Sequence, residues 1–437
     1  MKEEIIFAAT GDSFITRNLP VNDQDSLELS SIIKKAHVRF TNLEVTLHES
    51  EGIPSAVSGG TWAKASPIVL KDIKKYGFNL IAWANNHTLD YSFGGLEATE
   101  RNLNENGFIH GGAGENLASA SEPRYLETTA GRVALIAATS TFHESWAAGD
   151  QRSDMIGRPG VNPLRFQTIY KVTPEKLLQL KEIASTISIN AVQNLRIKEG
   201  YGIKRSKEIF TFGAHLFKED KIEGVTTSPI TLDMERITKA INEAKRQSKY
   251  TVVSIHAHEM EGDEKDKPAE FLQTFARTCI DNGAHAVIGH GPHILRGIEI
   301  YKNRPIFYSL GNFIFQNDTI DHLPSDFYEK YGLSQTDNVA DAIDCRSKNN
   351  TIGLGVDPLV WQSVLPIWRM KNGELTEIKL YPLELGFEKQ RYERGWPVLS
   401  ENVDIIKRIS QLSESYGTKI TIEDGIGKIL IEETICS

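Results

Sequence analysis

The sequence predicts an α/β protein, and three observations carry that expectation. Apolar runs of strand length alternate with segments of helical spacing, glycine and proline mark the joins, and five runs end in carboxylate, carboxamide or imidazole residues. In open α/β folds ligands collect outside the carboxyl ends of the strands, so strand ends rich in such groups point to a site. The sharpest case is Ala284-His285-Ala286-Val287-Ile288, which opens into Gly289-His290-Gly291-Pro292-His293 and sets two histidines three apart on a turn.

The elements follow in order. A first strand at 5–10 stops at Gly11-Asp12, a helix of spacing Leu27, Leu29, Ile32, Ile33 covers 25–36, and a strand at 37–41 stops at Asn42-Leu43-Glu44. Residues 48–65, with Gly59-Gly60 and Trp62, read as a loop over the strand ends and a candidate substrate contact. Ser66-Pro67 starts a helix, with Ile68, Leu70 and Ile73 facing the core, that ends at Gly77. The strand at 80–84 stops at Asn85-Asn86-His87, with Asp90 just beyond, and a helix from about Leu96 to Asn106 follows Gly94-Gly95. The turn at 111–114 lacks the Lys-Ser/Thr ending of a phosphate loop.

Strands at 124–128 and 133–139 precede a looser stretch, 141–232, expected as a helical insertion and lid with helices near 174–183 and 188–198. Helices at 234–248 and 268–282 flank a strand at 250–255 that runs into His256-Ala257-His258-Glu259. Hairpins are expected around Lys302-Asn303 and around Lys371-Asn372-Gly373, with polar loop at 317–356 between them and a helix at 403–412 near the end.

Composition limits the function. The formal charge of -9, without a long Lys/Arg run, disfavours a nucleic-acid groove, which needs clustered cations. Cys279, Cys345 and Cys436 are scattered and odd in number, fitting free thiols in a reducing compartment. No run reaches the length of a membrane span and the first residues lead straight into a strand, so a cytoplasmic location is the expectation. Oxygen and nitrogen donors without thiolate suit one or two divalent ions, Mn, Fe or Zn, in a hydrolytic site. Each donor also has a plainer role in turns and strand ends, and His37, His48, His110, His143, His215, His285 and His322 read as ordinary histidines.

Gly11-Asp12, Asn42-Leu43-Glu44, Ala84-Asn85-Asn86-His87-Thr88-Leu89-Asp90, the His256 strand, Gly289-His290-Gly291-Pro292-His293 and Tyr308-Ser309-Leu310-Gly311-Asn312-Phe313 together resemble the CapA family of poly-gamma-glutamate capsule synthesis proteins. That family is similar to the calcineurin-like metallophosphoesterases. The resemblance covers roughly 5–140 and 234–316. It implies a four-layer α-β-β-α sandwich over 1–316, holding the insertion, and a C-terminal extension at 317–437 whose β-hairpin packs on the core. It implies metal ligation by Asp12 and His293 on one ion, by Asn86, His256 and His290 on the other, and by Glu44 as the bridge. His87 would be the general acid, oriented by Asp90, with a metal-bound hydroxide as nucleophile.

Phe14 stands where the fuller phosphoesterase pattern has a ligating histidine, and His258, where family members often have glycine, offers a replacement imidazole. Two functions follow: a metal-dependent hydrolase of a phosphoester or gamma-glutamyl amide, or a non-catalytic polymer-binding subunit of poly-gamma-glutamate or capsule synthesis. The substrate is then a small molecule or a polyglutamate-like chain, with no nucleic acid and no membrane segment, and the oligomeric state stays open.

Overall fold

The structure is a computed structural model that describes residues 4–20 and 23–431; Cys436 lies outside them. It is a mixed α/β architecture with two large sheets. In the ten-stranded sheet Glu4–Phe14 pairs in parallel with Val38–Leu43, which leads to Leu80–Ala82 and Ile109–Gly111. Its other neighbour is the antiparallel Gln362–Lys371, followed by Glu374–Glu384, Ile426–Leu430 and Thr421–Glu423. The six-stranded sheet runs Leu295–Tyr301, Arg304–Leu310, Ala286–His290, Tyr250–His256, Val133–Thr139, Arg124–Leu126.

Successive strand residues point to opposite faces, and the two sheets use this to share one core. Ile5, Phe7 and Ala9 pack with Val38 and Phe40, and across from them come Tyr250, Val252, Ala286 and Ile288. Phe7 bridges the layers, stacked on Trp368 at 4.9 Å and edge-on to Tyr250 at 5.8 Å. The outer face of the first sheet is covered by the helices Gln24–Ile33, Leu70–Tyr76 and Ser92–Glu105 through Leu29, Leu70 and Leu96. The outer face of the second carries Thr231–Gln247 and Glu270–Asp281 through Ile237, Ile241, Phe271 and Phe275.

Several sequence expectations change. The C-terminal hairpin does not pack on a finished core. It is part of the sheet, hydrogen-bonded to Glu4–Phe14, because Val364, Trp368 and Met370 complete the inner face. Its turn is as expected, with Asn372 at φ 53° and Gly373 at φ 83°, the left-handed pair that a two-residue hairpin needs. Residues 141–232 are not only helical. Pro174–Thr186 and Ala191–Lys198 accompany a four-stranded sheet built from Phe166–Val172, Ile209–Phe212, His215–Glu219 and Gly224–Pro229. Phe166 stacks on Phe271 at 4.2 Å, which fastens this unit to an outer helix.

The supposed loop at 317–356 contains the helices Ser325–Lys330 and Val339–Ser347, anchored by buried Phe327, Ala342 and Ile343. Ile68, expected in the core, is 47% exposed, and Val69 takes the inward place. Trp62 is buried with its Nε1 donating to Ser55 O, so it supports its loop from below rather than meeting substrate.

The first strand also runs past its expected end, and it does so irregularly. Ala9 pairs with Phe40 and Asp12 with Asn42, so Thr10 and Gly11 together oppose the single residue Thr41. This is a β-bulge, and one extra residue reverses which face the following side chain takes. Ile5, Phe7 and Ala9 face inward, and an unbroken strand would turn Asp12 outward. The bulge brings Asp12 back to the inner face beside Asn42. Glycine is required there, since a Cβ on Gly11 would sit 1.8 Å from the carbonyl oxygen of Gly311. Gly11→Ala is therefore expected to destabilise the fold by roughly 2 to 3 kcal/mol through overpacking against backbone, read as a lower urea midpoint at unchanged slope.

Candidate metal centre

The inner-face stripes of four strands run out at one end of the shared core, and polar groups take over from apolar ones there. Along Tyr250–His256 the inward residues are Tyr250, Val252, Ser254 and His256, and along Ala286–His290 they are Ala286, Ile288 and His290. His256 and His290 are direct partners across the parallel pair. Val38, Phe40 and Asn42 continue to Glu44 one step past the end of Val38–Leu43. With Asp12 turned in by the bulge, the donors of both sheets meet.

The distances are short. Asp12 Oδ1 lies 3.3 Å from His290 Nδ1 and 3.5 Å from His256 Nδ1, and the two imidazole nitrogens are 3.0 Å apart. Glu44 Oε1 is 3.6 Å from His256 Nε2 and 3.8 Å from His293 Nε2. Three sets of donors fall within 4.8 Å of one another: Asp12, His256 and His290; Asp12, Glu44 and His293; Glu44, His256 and His258. The resemblance separates Asp12 from His256 and His290 across two ions, whereas the structure draws these three into one group. His256 faces Asp12 with Nδ1 and Glu44 with Nε2, so it stands between the groups.

Neighbours fix the orientation of each donor. Asn42 Nδ2 donates to Asp12 Oδ1 at 2.8 Å, and the backbone N–H of Gly291 donates to Asp12 Oδ2 at 2.8 Å. Asn312 Oδ1 holds His293 Nδ1 at 2.8 Å, which turns Nε2 to Glu44, and Ser254 Oγ holds His290 Nε2 at 2.8 Å, which turns Nδ1 to Asp12. His293 sits at φ 59°, a strained conformation of the kind that persists at functional sites when the surroundings enforce it. Gly291, at φ 119°, has its would-be Cβ 2.9 Å from Ala257 N, so the turn has no room for a side chain there.

Burial, followed by the charges of Asp12 and Asp90, pushes the Glu44 carboxyl well above the ordinary range. Both Glu44 oxygens are buried without a hydrogen-bond partner. Burial also raises Asp12, but hydrogen bonds and charge interactions with His256 and His290 outweigh it and hold that carboxyl well below its usual value. Burial pushes His256 down to about 4, and it holds His258 and His293 low as well. Buried, oriented carboxylates beside neutral imidazoles are a donor set for a divalent cation. The residues present fit such an ion.

Asn86 adds a further donor. Its Nδ2 donates to Gly59 O at 3.0 Å, and its Oδ1 is buried with no partner. His258, half-buried, places Nε2 3.1 Å from His256 Nε2 and joins the Glu44 group. Next to the cluster His87 Nδ1 meets Asp90 Oδ2 at 2.6 Å, while Asp90 also accepts from the backbone of Gly59 and Ala63. Burial raises the Asp90 carboxyl despite the pull of His87. Phe14 packs edge-on against His87 at 5.2 Å and shapes the place of that ring.

A cleft of about 240 Å³ opens at His87 and His293. Its lining includes Gly59, Gly60 and Thr61 and residues from 317–355. Among the described residues none of 141–232 lines it, although Thr141 Oγ1 accepts from His258 N at 2.9 Å. Asn42, Asn312 and Ser254 were not foreseen as orienting groups, although the first two stand inside the motifs. The spared histidines behave as expected in two clear cases: His37 Nδ1 accepts from Ile6 N, and His285 Nδ1 accepts from Thr251 N.

Residues 8–317 match the family described as bacterial capsule synthesis protein PGA_cap. The chain is 36% identical over 435 residues to the uncharacterized protein y4sH of Sinorhizobium fredii (strain NBRC 101917 / NGR234), covering 96% of this chain and 92% of that one. It is 38% identical over 207 residues to the PGA biosynthesis protein CapA of Bacillus subtilis (strain 168), covering 37% of this chain and 53% of that one. Among solved structures, a hypothetical protein from Thermus thermophilus overlaps 87% of this chain and 99% of its own at a TM-score of 0.39 and 11% identity. No helix among the described residues is long and apolar enough to cross a membrane.

Two outcomes are expected of the metal-free protein. Because its folded value is raised, Glu44 costs stability as pH climbs above the ordinary carboxylate range. Glu44→Gln should therefore raise stability at pH 7 by about 2 kcal/mol in thermal melts while removing the gain that added Mn gives wild type. The buried histidines act in the opposite direction. Folded values near 4 for His48, His110, His256 and His285, against 6.5, mean that their contribution is whole above pH 6.5 and is lost as pH falls toward 4. Melting temperature followed across that window checks it.

Proposed function

The chain belongs to the PGA_cap family of bacterial capsule synthesis proteins, and from that premise we propose that it is a metal-dependent hydrolase with the four-layer α-β-β-α fold of the metallophosphoesterases. One observation carries the reading. Two carboxylates from different strands, Asp12 and Glu44, are wholly buried against the imidazoles of His256, His290 and His293, and the Glu44 oxygens have no hydrogen-bond partner. Such a cluster is costly to fold unless a cation completes it.

Asp12, Glu44, His256, His290 and His293 would hold the ion or ions, with Asn86 Oδ1 and His258 as further donors. A divalent ion, when bound, supplies Lewis acidity and brings the pKa of water down toward ~7. The chain's own residues provide the remainder. Asn42, Gly291 N–H, Ser254 and Asn312 keep the donors in place without rearrangement. His87 commits Nδ1 to Asp90, which leaves Nε2 to give a proton to the departing oxygen or nitrogen, and Asp90 steadies the ring throughout. The substrates that suit this arrangement are a phosphoester or, by the resemblance to poly-gamma-glutamate capsule synthesis proteins, a gamma-glutamyl amide.

The test is an assay of Mn-loaded protein on bis(4-nitrophenyl) phosphate and on gamma-glutamyl-4-nitroanilide, with bound metal measured in parallel. His87→Ala should lower kcat by about 100-fold or more while keeping its metal, since it removes proton transfer alone. Asn86→Ala should lose metal and activity together. Stoichiometric metal without turnover of either substrate by wild type would leave a polymer-binding subunit as the better account, and absence of metal would remove both chemistry and site.

A further inference from the structure

The cleft at His87 and His293 is completed by residues that lie beyond the family match, which ends at 317. Arg346, from the helix Val339–Ser347, projects into this wall. It donates from Nη1 to Thr61 Oγ1 at 2.5 Å, and its guanidinium lies over the Phe327 ring, 5.7 Å from the centroid. Thr61 and His87 line the same cleft, so this bond joins the loop at 59–61 to the C-terminal part of the lining.

The pairing of the neighbouring arginines makes Arg346 stand out. Arg391 is bonded to Asp344 and Arg394 to Asp318. Arg346 has no carboxylate within ion-pair distance among the described residues. Asp318 also lines the cleft and its charge is felt at Arg346, but its bond goes to Arg394, which is stacked on Trp361. A guanidinium carries five N–H donors in a fork that matches an oxyanion, and one bond to a hydroxyl leaves most of them unused. Ring stacking and the Thr61 contact hold the fork still, so little entropy is lost when an anion arrives.

We propose that Arg346 is the specificity-determining residue of this cleft, binding an oxyanion, carboxylate or phosphate, that the substrate carries beside the bond served by His87. The inference rests on the hydrolase reading for the phrase about the bond, while anion binding by Arg346 can be measured without turnover. It also gives the C-terminal segment a role in substrate choice. The family-matched portion supplies donors and acid, and residues 346–355 supply the means of telling an acidic substrate from a neutral one.

The test uses full-length Mn-loaded protein as wild type, Arg346→Gln and Arg346→Lys, with folding checked by thermal melts. Titration calorimetry with glutarate and with inorganic phosphate should show R346Q binding one of them about tenfold to hundredfold more weakly, and R346K recovering part of the loss. The probe that is affected identifies the anion. On gamma-glutamyl-4-nitroanilide and its α-methyl ester, R346Q should raise KM for the acid more than it lowers kcat, and so narrow the preference for acid over ester. Unchanged affinity for both probes, or equal loss on acid and ester, overturns the proposal. If wild type hydrolyses nothing, the hydrolase reading falls, and the titrations still decide Arg346. If R346Q does not fold, R346K carries the comparison: weaker binding of one probe supports the proposal and undiminished binding of both overturns it.

Discussion

The candidate site depends on a single extra residue in the first strand. Thr10 and Gly11 oppose Thr41 alone, and that slip turns Asp12 from the outer face of its sheet to the inner one. There the carboxylate meets Gly291 N–H and the imidazoles of a different sheet. The bulge in turn depends on close backbone approach, since Asp12 N donates to Gly311 O at 3.1 Å and no side chain fits at Gly11. Bulges re-aim side chains next to active sites elsewhere, and the physical reason is the period of two along a strand. The same contact brings Asn312, the first residue of the strand Asn312–Phe315 that pairs with Glu4–Phe14 at Asp12, into line to fix His293.

Around that point the molecule accepts local cost. Glu44 is buried beside two other carboxyl groups without a hydrogen bond, His293 holds a left-handed backbone, and several imidazoles are kept neutral by burial. The broad apolar core between the sheets, with Phe7, Trp368 and Tyr250 in contact, offsets such costs and keeps the geometry stiff. The orienting amides of Asn42 and Asn312 each spend a hydrogen bond on a donor rather than on their own strand. Those bonds hold the donor atoms in fixed orientations, the arrangement that a buried cluster able to bind a divalent cation requires.

Legibility in the sequence followed the physics of each feature. The alternation of strands and helices was readable because apolar periodicity is local, and the strands expected at 250–255 and 284–288 are found at Tyr250–His256 and Ala286–His290, each running on to its histidine. Asp12, Glu44, His256, His290 and His293 were readable because strand ends in an α/β protein converge, and they do meet. The four-stranded sheet within 141–232 was missed, since its strands are half-buried or exposed along most of their length and carry no clean apolar and polar alternation. The loop at 48–65 was expected over the strand ends and does line the cleft through Gly59, Gly60 and Thr61, but that Trp62 turns inward was not readable, because a tryptophan in a glycine-rich loop carries no signal of which way the loop folds. The segment at 317–356 read as loop because its helices are short and polar, and its closeness to the site is a contact between residues nearly 300 apart, such as Arg346 with Thr61.

By itself the sequence determined the chemistry available: carboxylate, carboxamide and imidazole at strand ends, a His87-Asp90 pair three apart, and no thiolate alternative. These are properties of residue type and short spacing, which a chain carries before it folds. Tertiary structure alone decided that Asp12 faces inward, that His256 stands between two donor groups, that the C-terminal hairpin is a member of the central sheet, and that Arg346 borders the cleft. Register, strand order and wall-to-wall contact depend on how distant segments pack, and no local pattern encodes them.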